Sequence, residues 1–220
     1  MAGVDEQRLG VALARWRAQG NAWPRVWTKA GALVRQADNI AMSVPPSAER
    51  SAAGRTIVRD YTAEGAKMSF ADSIARLGLS KEGLKPPLAG LRIHDPNDSG
   101  GSAVDDVATA LSPNGMLAGL RELRAAGSIG HVSLGMNANR MAKDILRLIR
   151  GAPAGTFDSC LLAGGWNLLC QVSPCMLEAS KALAFSLSLS LSLSLSLSLS
   201  CTTPPIASQI PTRLARTEGQ

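Results

Sequence analysis

Four side chains with chemistry in them stand where short apolar segments end: Lys29 after Arg25-Val-Trp-Thr, His94 after Leu88-Ala-Gly-Leu-Arg-Ile, Asn137 after His131-Val-Ser-Leu-Gly-Met, and Trp166, followed by Asn167, after Phe157 to Ala163. A lysine lowers the pKa of a neighbouring acid through its charge, and a histidine can hydrogen-bond a substrate oxygen. Together they suit proton transfer and orientation at a polarised oxygen. Asn139 competes with Asn137 for the third place. Tyr61 is the one tyrosine in the chain, and it follows a long connection and leads into a helix, away from any strand end. The four cysteines, Cys160, Cys170, Cys175 and Cys201, form no CxxC pair and have no histidine nearby, so neither a metal site nor a disulfide framework is expected. A reducing, cytoplasmic setting fits that usage.

Elements that could hold those residues alternate along the chain. Leu9, Ala12, Leu13 and Trp16 recur at helical spacing, with Arg8, Arg15 and Arg17 elsewhere on the wheel, and Gly20-Asn21 ends the helix. A short strand over 25–29 follows. Residues 35–60, with Pro45-Pro46, Ser and Gly, are expected to be a long irregular connection. Thr62 is an N-cap with Glu64 in the first turn, and Phe70, Ile74 and Leu77 form the stripe of a helix that stops at Gly78. Strands over 88–94, 131–135 and 157–163 are separated by a helix from about Val104, broken near Pro113-Asn114-Gly115 and resumed from Met116 to Gly127, and by a second helix over 141–150. Strand–helix alternation of this kind implies an α/β fold with a parallel sheet and crossover helices. Neither GxGxxG nor GxxxxGK[ST] is present, which favours a (β/α)8 barrel over an open doubly wound sheet.

The 220 residues are 45% hydrophobic and 18% charged, with 21 glycines and 12 prolines, too few for a collagen-like or linker sequence. A net charge of +6 comes from 23 basic residues scattered between Arg8 and Arg216 without a block, so no nucleic-acid footprint is expected. With no signal-type leader and no run of about 18 apolar residues, a soluble protein without membrane association is expected. No feature points to a specific protein partner.

Taken together, Val26-Trp-Thr-Lys29, Leu91-Arg-Ile-His94-Asp95 and the stretch from Leu117 to Gly135 resemble the aldo/keto reductase family of (β/α)8 TIM barrels, in order and spacing. Arg150 to Ser159 and Leu161 to Leu169 are similar to its sugar-oxidising branch, the D-threo-aldose, L-fucose and L-galactose 1-dehydrogenases. The resemblance covers about residues 4 to 182 and implies a partial barrel, with units corresponding to the third to sixth strands. A complete barrel takes roughly 250 residues in eight units. It implies an NAD- or NADP-dependent oxidoreductase that moves hydride between a nicotinamide and an aldehyde or the C1 of an aldose. Lys29 matches the family lysine that tunes a catalytic tyrosine, His94 the histidine that orients the carbonyl, Asn137 a contact to the nicotinamide amide, and Trp166 a side chain near the ring. The family's catalytic tyrosine and aspartate precede the helix with which this chain opens, so the chain is expected to be truncated at both ends and inactive as it stands. The alternative is a non-catalytic fragment or interaction module that keeps the scaffold.

Residues 1–184 are assigned to the partial barrel and 185–220 to a disordered, low-complexity tail. From Ser186 to Ser200 serine and leucine alternate without a break. A CT dinucleotide repeat encodes Ser-Leu in every frame, so retained non-coding sequence is the expected origin of the run. A strand of 15 residues would exceed the usual three to ten.

Overall fold

The computed structural model describes residues 4–36, 49–50, 55–79, 87–98, 104–164, 186–190 and 196–197. Its first helix, α1 (Val4–Ala18), carries Asp5 and Glu6 in its first turn and Arg15 and Arg17 in its last, charges that complement the helix dipole. β1 (Trp27–Ala30) follows, then β2 (Ala32–Gln36), β3 (Glu49–Arg50), β4 (Arg55–Arg59) and α2 (Ala63–Leu77). Thr62 caps α2, its hydroxyl accepting from the Gly65 amide, and Gly78 ends it at φ 63°. Beyond these lie β5 (Leu88–His94), α3 (Asp106–Leu111), α4 (Met116–Ala125), β6 (Ile129–Asn137), α5 (Ala138–Gly151), β7 (Ser159–Ala163), β8 (Ser186–Ser190) and β9 (Ser196–Leu197).

β1, β5, β6, β7 and β8 are parallel neighbours in that order, and β9 adds antiparallel to β8. Thr28 reaches Glu6 of α1 and lies 3.3 Å from Ser73 of α2, which identifies its side of the sheet as the one facing the helices. Leu91 and Val132 share that register level, and with Ile93, Leu134, Met136, Cys160 and Leu162 they are fully buried against Leu120 of α4 and Ile145 and Leu148 of α5. Alternation therefore sends Trp27, Lys29, Arg92, His94, His131 and Ser133 to the opposite, concave face. Burial pushes the Cys160 thiol up, so that sulfur is inert packing.

One expectation is corrected. Residues 35–60 are not an irregular connection throughout: β2 and β4 pair antiparallel from Ala32 opposite Arg59 to Gln36 opposite Arg55, and β3 joins β4. The β-branched run Thr56-Ile57-Val58 faces Leu33 and Val34 and outweighs the breakers elsewhere in the segment. Residues 186–190 of the Ser-Leu repeat form β8 beside β7, with Leu187 level with Cys160 and Leu189 level with Leu162. Its period of two matches the pleat, so the leucines fall at the register of the buried positions. Apart from β8 and β9, the residues beyond 164 lie outside the described part.

Candidate active site

Parallel pairing brings the ends of β1, β5 and β6 to one rim. Lys29 is level with Arg92, and His94, two residues further along β5, is level with Gly135. A Cβ on Gly135 would sit 3.1 Å from Arg92 Cδ and 3.7 Å from Lys29 Cε, so the glycine leaves the lysine stem room to rise toward the rim. Lys29 Nζ lies 3.0 Å from His94 Nε2. Burial holds the Lys29 ammonium below the usual lysine range, the Asp95 carboxylate opposes that, and Arg92 adds to it. The imidazole of His94 is also held below 6.5, first by burial and then by the Lys29 charge, against Asp95. A neutral imidazole at pH 7 accepts from the lysine at Nε2, because an ammonium can only donate.

Three residues not assigned to the site from the sequence complete the arrangement. Asp95 is 7% exposed and left-handed at φ 42°. Its Oδ2 lies 3.2 Å from His94 Nε2, and its Oδ1 accepts the Asn137 amide at 2.9 Å. Tyr61 is buried, its hydroxyl donates to the His94 carbonyl at 2.7 Å, and burial pushes its pKa up. Arg59 donates to the Asp95 carbonyl at 3.2 Å and approaches the Tyr61 hydroxyl. Asp95 was legible only as the residue that follows His94, and nothing local marked Arg59.

Asn137 caps the start of α5 without using its side chain, which makes no hydrogen bond to that helix end. It stands two residues beyond Gly135, which is level with His94, so alternation places it on the same face as Lys29 and His94. Asn139 lies in the first turn of α5. Trp166 and Asn167 lie outside the described residues. His131, the second histidine, belongs to a separate group nearer the other end of the sheet: it stacks on Trp27 at 5.8 Å between centroids, and its Nε2 lies 2.8 Å from Arg25. That end of a barrel serves stability.

No family model matches the chain. Pyridoxal 4-dehydrogenase from Microbacterium luteolum is 35% identical over 117 residues, which are 53% of this chain and 31% of that protein. Among solved structures, the glycerol dehydrogenase AKR11B4 from Gluconobacter oxydans superposes with a TM-score of 0.54 at 16% identity, over 85% of this chain and 45% of its own. The holo form of aldo-keto reductase AKR11C1 from Bacillus halodurans gives 0.53 at 15% identity, over 85% and 48%. The chain thus spans under a third of the curated relative and about half of these structures. The fold is part of the (β/α)8 barrel found in aldo-keto reductases. Among the described residues, no helix is long and apolar enough to cross a membrane.

Proposed function

We propose that the chain carries the lysine and histidine of an NAD(P)-dependent oxidoreductase of the aldo-keto reductase type, acting on an aldehyde or on the C1 hydroxyl of an aldose. The observation that carries this reading is the 3.0 Å contact between Lys29 and His94 at the ends of neighbouring parallel strands, with Asn137 one strand further round. A bound nicotinamide supplies the hydride acceptor or donor. The residues of this chain do the rest: Asn137 holds the carboxamide, His94 hydrogen-bonds the substrate oxygen, and the Lys29 charge lowers the pKa of the group that moves the proton, while Trp166 is assigned to the cofactor by the resemblance alone. L-Fucose and L-galactose are the sugars suggested by the resemblance in the sequence. The relative that acts on pyridoxal, an aldehyde, supports the same carbonyl chemistry.

A second reading is favoured by Tyr61. The one tyrosine in the chain is buried and its hydroxyl is committed to a backbone carbonyl, so it cannot serve as the acid or base, and the 220 residues on their own form a scaffold without turnover. Purified chain is expected to reduce neither NAD nor NADP with L-fucose, L-galactose or pyridoxal. Turnover that disappears in Lys29→Met and His94→Ala would overturn the scaffold reading. Sequencing the transcript on both sides of the encoded chain tests the enzyme reading: an Asp and a Tyr four or five residues apart ahead of α1 support it, and a start without them counts against it.

A further inference from the structure

His94 Nε2 faces two neighbours with opposite demands. The Lys29 ammonium 3.0 Å away requires a bare, accepting nitrogen, whereas the Asp95 carboxylate 3.2 Å away requires a protonated, donating one. The other oxygen of the same carboxylate holds the backbone amide of Asn137 across to the next strand. One side chain therefore touches both the residue assigned to the substrate oxygen and the strand end assigned to the nicotinamide.

Asp95 is also fixed in place from several directions. Its φ of 42° is unfavourable for a residue with a side chain, and such a backbone persists where its surroundings over-determine it. Arg59 donates to its carbonyl. Two residues on, Asn97 exchanges backbone-to-side-chain hydrogen bonds with Asp106, at 3.1 and 2.7 Å, and its side-chain amide donates to Asp105 and Asp144. Arg147 then ties Asp105 to Asp144, so the turn is clamped to the starts of α3 and to α5.

We infer that Asp95 is a positioning residue which couples His94 to Asn137, setting which form of the imidazole meets the substrate while fixing the strand end that meets the cofactor. The inference rests on the function proposed above for its meaning in catalysis, but the coupling itself exists in this chain and is measurable without cofactor or turnover. The groups facing the imidazole are Lys29 from β1, Arg59 from β4, and Asp95 and Asp98 from its own turn, and of these only the two aspartates favour its charged form.

The chain has two histidines, so His131→Gln assigns both imidazoles in an NMR titration of the full chain. Asp95→Asn should lower the His94 pKa by at least about half a unit, an opposite charge at this distance being worth roughly 1–3 units when buried. In the unsubstituted chain, the Asn137 amide resonance should titrate with the His94 midpoint, a readout that does not depend on the variant folding. An unchanged or raised His94 pKa in Asp95→Asn, or an Asn137 amide indifferent to His94 protonation, would overturn the inference. Failure of nicotinamide chemistry with the coupling intact would instead count against the proposed function alone.

Discussion

His94 owes its lowered pKa to burial first and to Lys29 second, and the second cause is removable. Lys29→Met should therefore raise the His94 pKa, read by the same imidazole titration, and a fall or no change would mean that the lysine is not charged where it lies. The lowered value also sets a pH dependence of stability. Between the folded-state pKa and the unfolded value near 6.5, the unfolded chain binds more protons, so the contribution is complete above 6.5 and is lost as pH falls through the folded pKa. The urea midpoint should drop between pH 7 and pH 5, and His94→Gln should reduce that drop. At this scale the sequence showed Lys29, His94 and Asn137, because each stands at a strand end. It could not show Asp95, whose importance comes from a left-handed backbone and from a hydrogen bond to a residue 42 positions away.

Among the elements, the helices and parallel strands were legible because their signals are local: the Thr62 cap, the stop at Gly78, and a period of two or 3.6 in apolar residues. Thr62→Ala should cost about 1 kcal/mol by leaving the Gly65 amide without its partner. Gly119 shows what local signals omit. It sits in the middle of α4, where glycine is unfavourable, yet a Cβ there would lie 2.4 Å from the Ala63 carbonyl oxygen of α2. Gly119→Ala gains helix propensity and still should destabilise, by ~1–3 kcal/mol, because backbone must move to admit the methyl. Urea unfolding checks both variants, and a stabilised Gly119→Ala would show that the two helices pack less closely. The β2–β4 pairing was hidden for a different reason. Its partners are separated by a segment rich in turn formers, and pairing across such a gap is decided by the match of Leu33 and Val34 with Val58 and Ile57.

Over the whole molecule, the described sheet is an open one. Among the described strands β1 pairs only with β5, and the concave face presents Lys29, Arg92, His94 and His131 where a closed barrel packs its interior. That edge, unpaired among the described residues, predicts concentration-dependent association and an m-value in urea below that of a complete domain of 220 residues. A single cooperative transition with the full m-value would contradict that. The function proposed for Lys29 and His94 requires that they work in a nicotinamide-dependent carbonyl site once the rest of a barrel surrounds them. The most direct measurement puts residues 4–164 of this chain in place of the corresponding segment of the pyridoxal 4-dehydrogenase from Microbacterium luteolum and follows pyridoxal turnover. The predicted result is a folded chimera that turns over pyridoxal and loses about 10²–10⁴-fold in Lys29→Met and in His94→Ala. A folded chimera that is inactive, or active and indifferent to both substitutions, would contradict it.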